Sequence, residues 1–153
     1  MVRSPRITLS SFDAGSATGA DLRDAHAVDA VTAAEVVPDE PPVPAEEVAA
    51  GILRPDPTEH VVHWLARDPS GRAVGHASVV VDLVGNPHLA WCDVGVVPRA
   101  RRRGTGSALL REAARAAVGL GRHQLGVDTH AGVPGPELVA PLGFTAGPVG
   151  HRN

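Results

Sequence analysis

One stretch in the second half of the chain places a strand, a glycine-containing loop and a helix in direct succession. Residues 89–97 follow a strand pattern, and residues 105–118 carry their apolar side chains at helical spacing. Gly119 ends this helix, and residues 124–128 form a second strand pattern. Because a strand–helix–strand crossover of this length joins parallel neighbours, we expect a sheet with this helix against one face.

The rest of the pattern adds antiparallel strands and further helices to this unit. The additional strand patterns lie in residues 7–9, 60–67, 73–81 and 144–149. The additional helix patterns lie in residues 19–36, 45–53 and 135–142, with a proline-rich loop over residues 38–44. We therefore predict an α/β (α+β) fold, a mixed, mostly antiparallel central sheet flanked by helices, in a single domain over residues 1–153.

The composition limits the chemistry that the chain can use. Its 153 residues, 43% of them hydrophobic, suit one core, and the absence of Tyr leaves no phenol for proton transfer. Cys92 is the only cysteine, which excludes an internal disulfide and a cysteine-based zinc cage. The sequence shows no signal-peptide segment and no apolar run near the roughly 20 residues of a membrane span, so we expect a soluble cytoplasmic protein without membrane contact.

Charge is distributed unevenly along the chain. Residues 13–59 contain eleven acidic residues against two Arg, whereas residues 99–122 contain seven Arg against Glu112 alone. The second region attracts anions and the first repels them. The acidic segment 38–47 weakly favours a cationic substrate, although a solvated loop explains its charge equally well.

The loop between the strand and the helix is the candidate binding element. A strand end, a turn with Gly104 and Gly106, and a helix start bring unpaired backbone amides and the positive end of the helix dipole together. Neither glycine has a side chain that would hold an anion away from the main chain, and Arg101, Arg102 and Arg103 add positive charge. The loop lacks the Gly-Lys-Ser/Thr of a Walker loop and the Gly-x-Gly-x-x-Gly of a dinucleotide site.

The full arrangement, Val96-x-Pro98-x-x-Arg101-x-x-Gly104-x-Gly106-x-x-Leu109-Leu110, resembles the acyl-CoA loop of the GNAT superfamily of N-acetyltransferases. In outline the chain is similar to one half of a tandem GNAT protein. The resemblance implies acetyl-CoA as cosubstrate, no metal, and a cleft where the two strands beside the loop splay apart. It implies that these residues bind the coenzyme: Val94, Gly95 and Val96 at the pantetheine, Arg101 at the loop entrance, and Arg102, Arg103, Gly104, Thr105, Gly106 and Ser107 at the pyrophosphate.

The resemblance also directs attention to His88, thirteen residues before Arg101, where several family members carry a catalytic base. Strand alternation places His88 on one face with Cys92 and Val94, and places Asp93 on the other, unless a bulge shifts it. An imidazole suits proton removal near neutral pH. The alternative is that His88 is simply a turn residue beside Asn86. His60 and His63 face opposite sides of one strand and make a poor metal pair.

The positions where family members often carry a general acid and an Asn hold Val139 and Gly132 here. The leading hypothesis is transfer of acetyl from acetyl-CoA to a primary amine of a small molecule or peptide. The alternative is a GNAT-fold module that binds acyl-CoA, or a partner, without turnover. A nucleic-acid patch at residues 99–103 lacks aromatic platforms, so we expect no nucleic-acid partner. The oligomeric state, including a homodimer, stays open.

Overall fold

The computed structural model describes residues 6–129, which form one five-stranded sheet with helices on both faces. The strands follow one another across the sheet in chain order: β1 (Thr8–Phe12), β2 (Glu59–Arg67), β3 (Ala73–Asp82), β4 (Leu89–Val96) and β5 (Gln124–Thr129). The first four pair antiparallel, and β4 and β5 pair parallel. The mixed, mostly antiparallel sheet predicted from the sequence is confirmed.

Three helices accompany the sheet, α1 (Gly19–Val36), α2 (Ala45–Leu53) and α3 (Thr105–Gly119), with a 3-10 turn at Pro98–Ala100. Their bounds agree with the predicted helices to within one residue. Local chemistry explains the start of α1, because the Thr18 side chain accepts from the Asp21 amide while the Asp21 carboxylate accepts from the Thr18 amide. The predicted helix over 135–142 and strand over 144–149 lie outside the described residues.

The face of the sheet that carries α3 is dry and closely packed. Leu109, Leu110 and several alanines of α3 lie fully buried against Val79, Cys92 and Val94. The approach is close because β3 carries Gly75 beneath the helix, where an added Cβ would lie 2.7 Å from Leu109 Cδ1. Small residues on both surfaces therefore fill this core in a chain with few aromatic side chains.

Helices α1 and α2 cover part of the opposite face. Phe12, Ala25, Ile52 and Leu65 form a second, smaller apolar cluster there. Arg67 at the end of β2 fixes the start of α1 through contacts of 3.0 Å with Asp24 and 3.2 Å with Asp21. None of the helices within residues 6–129 has the length and apolar composition that a bilayer crossing requires.

Candidate active site

A cavity of about 460 Å³ lies between the sheet and the two helices α1 and α2. One wall is apolar and comes from the end of α1 and from α2, with Val36, Val37, Val48 and Ile52. The floor is polar and comes from three neighbouring strands, with His63, His76, Ser78 and Asp93. A volume of this size is typical of small-molecule sites.

The strand register explains why these polar side chains meet. His63 of β2 lies opposite Ser78 of β3, which in turn lies opposite Asp93 of β4, so the three form one row across the sheet. In the next row His76 lies opposite Gly95 of β4. Because side chains in a row share one face, all of them point toward α1 and away from the core under α3.

A hydrogen-bonded chain links three ionisable side chains at the cavity. His76 Nδ1 lies 2.8 Å from Asp29 Oδ1 of α1, and His76 Nε2 lies 3.1 Å from His63 Nδ1. The ring of Phe12 stacks on His63 with a centroid separation of 5.0 Å and an interplanar angle of 9°. Burial, together with the neighbouring His76, lowers the pKa of His63 to about 4, although Asp29 acts in the opposite direction.

The loop after β4 presents a run of free backbone donors. The amides of residues 102–107 donate no hydrogen bond to any residue in the described range, and Ala108 is the first residue of α3 whose amide bonds back into the chain, to Gly104 O. Gly104 precedes the helix with φ of 81°, and Arg102 also has a positive φ of 62°. Six consecutive amides at a helix start fit the pyrophosphate of a coenzyme.

The three arginines of the loop have different surroundings. Arg101 donates to Glu35 of α1 at 2.8 and 2.5 Å and to Val96 O at 3.1 Å. These bonds to Glu35 raise the pKa of Arg101 above its usual value. Arg102 and Arg103 are exposed. Arg101 therefore connects the loop to α1, and the exposed pair supplies the charge that faces solvent.

The remaining predicted coenzyme residues lie along the same path. Thr105 and Gly106 are buried at the start of α3. Pairing between β4 and β5 continues without a break to Val94 opposite Thr129, which leaves Gly95 and Val96 beyond the last described pair. Val94 and Gly95 also line the cavity. The strand edge, the loop and the cavity are thus continuous.

His88 lies at the opposite end of β4 from the cavity. Its side chain is exposed and its ring packs at 4.5 Å against the ring of His123. Its amide donates to Asn86 Oδ1, and its carbonyl accepts from the amides of His123 and Gln124, as expected of a turn residue. The structure does not bring His88 to the cavity, and its catalytic role stays an untested prediction.

The predicted alternation along β4 is confirmed, since Asp93 lies on the opposite face of the sheet from Cys92 and Val94. The side chains of Cys92 and Val94 face α3 and are buried in the core. Asp93 faces α1 and lines the cavity. The alanine-rich face of α3 packs against the side of the sheet that carries Cys92, and the cavity lies on the other side, beneath α1 and α2.

Sequence reasoning missed the group formed by Asp29, His63 and His76. His63 was considered only with His60 as a metal pair, and within residues 6–129 no set of three His, Cys, Asp or Glu is arranged to hold a metal. The sequence does contain a pattern that indicates part of this cavity. His63, Ser78 and Asp93 occur at inward positions of three strands already predicted, and pairing those strands would have placed them in one row.

Comparison with known proteins agrees with this architecture. The profile of the Acetyltransferase (GNAT) family matches residues 26–134, which include strands β2 to β5, α3 and the loop before α3. The chain therefore belongs to the GNAT acetyltransferase family. No curated protein sequence gives a significant match.

Solved structures of related fold support the same assignment. A protein assigned as a phosphinothricin N-acetyltransferase is 26% identical with a TM-score of 0.59, over 78% of this chain and 71% of that one. A tandem GNAT protein from the clavulanic acid biosynthesis pathway is 24% identical with a TM-score of 0.64, over 90% of this chain. This chain spans only 43% of that protein.

A third neighbour is the aminoglycoside N-acetyltransferase AAC(6')-Iy in complex with CoA. It is 19% identical with a TM-score of 0.60, over 100% of this chain and 98% of its own. At this identity the likeness concerns the fold.

Proposed function

We propose that this protein is an N-acetyltransferase that transfers the acetyl group of acetyl-CoA to a primary amine. The observation that carries the proposal is the run of six free amides over residues 102–107, which follows directly from the strand whose Val94 and Gly95 line the cavity. An anion site and a polar cavity on one continuous strand and loop are what a coenzyme with a pyrophosphate and a distant thioester needs. The family membership supports this proposal.

The residues of the loop suit acetyl-CoA in charge and in shape. The amides of residues 102–107 hold the pyrophosphate, and Arg102 and Arg103 add charge from the exposed side. Beyond the last pair with β5, Gly95 and Val96 offer main-chain groups to the pantetheine. Acetyl-CoA supplies an acyl group on a thioester, which an amine attacks directly, so the protein contributes mainly position and proton handling.

The cavity suits an acceptor with a positive charge and a modest apolar part. Asp29 and Asp93 place two carboxylates at its edge and floor, whereas the wall formed by Val36, Val48 and Ile52 is apolar. A protonated amine is attracted to such a site before it reacts. We therefore place small cationic amines and the amino groups of peptides ahead of acidic amino acids as acceptors.

Two measurements test the proposal in sequence. Isothermal titration with acetyl-CoA measures binding, and a thiol-release assay over cationic, neutral and acidic amines then measures turnover. We expect binding, and thiol release that depends on an added amine and is fastest with cationic ones. Binding without release over the whole panel would contradict acyl transfer and favour the module without turnover, and a lack of binding would contradict both.

A further inference from the structure

We propose that Asp29, His76 and His63 form a proton relay that removes a proton from the acceptor amine in the cavity, an inference that rests on the proposed acyl transfer. The three side chains come from α1, β3 and β2, and they are linked end to end by contacts of 2.8 and 3.1 Å. All three line the cavity. Neither the family motif nor the loop residues account for this arrangement.

The hydrogen-bond pattern gives the relay a direction. An ionised Asp29 only accepts, so His76 donates to it through Nδ1 and, when neutral, accepts at Nε2. His63 then donates through Nδ1 to His76, which leaves a lone pair on His63 Nε2. This nitrogen has no hydrogen-bond partner within residues 6–129. The chain therefore presents one basic atom at its inner end.

Packing against neighbouring rings fixes the orientation of the His63 imidazole. Its ring is stacked on Phe12 and lies nearly coplanar with His76, with an angle of 14° between the two imidazoles. The side chain is 8% exposed, so bulk water has little access to it. A buried, preorganised imidazole of this kind needs little reorganisation during proton transfer.

The position of the relay in the sheet places it beside the predicted acyl site. His63 lies in the row that contains Ser78 and Asp93, and His76 lies opposite Gly95, at the strand edge that we assign to the coenzyme. Two strand spacings, roughly 10 Å, separate β2 from β4. An amine bound over Ser78 lies between the basic nitrogen of His63 and that edge.

The transfer balances without any further reactant than an acyl-CoA thioester and an amine. The protonated amine first loses one proton to solvent, which frees its lone pair. His63 Nε2 then takes a second proton from the neutral amine as the amine nitrogen bonds to the acyl carbon and the carbon–sulfur bond breaks, with its electron pair leaving on sulfur. His63 passes its Nδ1 proton to His76 Nε2, and Asp29 stabilises the resulting imidazolium. Solvent protonates the thiolate. After the amide leaves, His76 Nε2 returns its proton to His63 Nδ1 and His63 Nε2 releases its proton to water that enters the cavity, which restores the starting tautomers.

The relay is faced by charged groups from α1 and β4 and by apolar groups from α2. Asp29 of α1 contacts His76 directly, and Asp93 of β4 shares the cavity floor, whereas the cavity residues of α2 are the apolar Val48 and Ile52. Burial and the neighbouring His76 lower the pKa of His63 to about 4, so its ring is neutral near pH 7 and the lone pair on Nε2 is available to an amine. His63 thus acts as the catalytic residue, with His76 and Asp29 as its positioning partners.

The kinetic test compares His63→Gln and Asp29→Asn with His60→Gln. His60 lies on the same strand, but in a row with Val81 and therefore on the α3 side of the sheet, which makes it a matched control. We expect kcat to fall about 100-fold in His63→Gln. We expect a fall of about 10-fold in Asp29→Asn, with the acidic limb of its kcat–pH profile displaced and KM for acetyl-CoA unchanged, and wild-type kinetics in His60→Gln.

A second readout does not depend on turnover. Nitrogen-15 NMR of the imidazoles in the wild-type protein should show His63 and His76 both protonated at Nδ1 at pH 7, and Asp29→Asn should move the signals of both rings. Unchanged kcat in His63→Gln, or the opposite tautomers in the spectrum, would overturn the relay while leaving acyl transfer intact. Absence of amine-dependent thiol release in the wild type would instead refute the proposed function, and the catalytic relay with it.

Discussion

At the scale of single residues, His63 shows how burial changes the pKa of a side chain. Its pKa is lowered to about 4 from the usual 6.5, chiefly because burial disfavours the charged ring. In the unfolded chain His63 therefore becomes protonated as the pH falls below 6.5, whereas in the folded protein it becomes protonated only near pH 4. The stability associated with this neutral ring is present in full above pH 6.5 and is lost as the pH falls through that window.

We predict that part of the loss of stability of this protein in acid is due to His63. Between pH 6.5 and pH 4 the wild-type free energy of unfolding should fall by up to about 3 kcal/mol more than that of His63→Gln. Urea unfolding at a series of pH values measures the difference, with His60→Gln as the control that keeps the wild-type slope. Parallel pH dependences of the wild type and His63→Gln would contradict the assignment.

Gly104 is the second residue whose conformation matters by itself. Its φ of 81° is left-handed, and an added Cβ would meet no atom within 4 Å, so a substitution there costs backbone strain and not a clash. We predict that Gly104→Val lowers stability by about 1–2 kcal/mol. It should also weaken acetyl-CoA binding by at least about 10-fold, because the amides of the loop turn away from the anion.

The matched control for Gly104→Val is Gly119→Ala at the end of α3. That position also has open space for a Cβ, but its φ is not positive. Thermal melting and acetyl-CoA titration of both variants distinguish the effect of backbone strain from the effect of an added side chain. Equal affinities for acetyl-CoA in the two variants would show that the loop conformation is not required for binding.

At the scale of elements, α1 is the part that joins the two halves of the site. Arg67 attaches the first turns of α1 to β2, and Arg101 attaches the last turn of α1, through Glu35, to the loop between β4 and α3. Asp29 lies between these attachments and thereby reaches His76. A helix fixed at both ends can hold its middle carboxylate at a defined place over the sheet.

We predict that Arg101 contributes mainly to stability, whereas Arg102 and Arg103 contribute mainly to acetyl-CoA binding. Arg101→Ala should lower the melting temperature by about 3 °C, since it loses a partly buried ion pair and a main-chain contact worth about 1 kcal/mol together. Arg102→Ala and Arg103→Ala should leave the melting temperature unchanged and should weaken acetyl-CoA binding. Their effect should shrink as salt is added, because exposed charges are screened.

Calorimetric titration at low and high ionic strength, with a thermal melt of each variant, measures this separation. Glu35→Gln provides the control for Arg101→Ala, because it removes the same ion pair from the other side. A large loss of acetyl-CoA affinity in Arg101→Ala without a change in melting temperature would contradict the structural role of Arg101 in connecting the loop to α1. It would restore Arg101 to the anion site expected from the sequence.

At the scale of the whole molecule, coenzyme binding should couple to global stability because the site is built from α1, α3 and three strands. Acetyl-CoA at about 100 times its dissociation constant should stabilise the folded state by about 2.7 kcal/mol. The corresponding rise in melting temperature is about 5–10 °C. S-acetyl-N-acetylcysteamine, a thioester without a pyrophosphate, is the control and should give little stabilisation at equal concentration.

A thermal-shift titration measures both compounds under one set of conditions. Equal shifts from the two thioesters would show that the loop amides contribute nothing to affinity. No shift from either would contradict coenzyme binding as a whole.

The sequence by itself determined the elements of this protein and the loop between β4 and α3. The bounds of α1, α2 and α3 and the parallel pairing of β5 were all predicted, because they depend on local physics. Capping side chains, prolines, glycines and the period of the apolar residues act over a few positions, and a crossover helix dictates the direction of the strand after it. The glycine-containing loop before α3 was predicted for the same reason, since its residues are neighbours in the sequence.

Only the tertiary structure decided which face of the sheet holds the cavity and which side chains meet in it. His63 and His76 are 13 residues apart, Asp29 is 47 residues from His76, and Glu35 is 66 residues from Arg101. Whether such groups meet depends on strand register and on how α1 and α3 dock. Docking is set by the fit of many small side chains at once, as where Gly75 admits Leu109, and no local pattern contains that information.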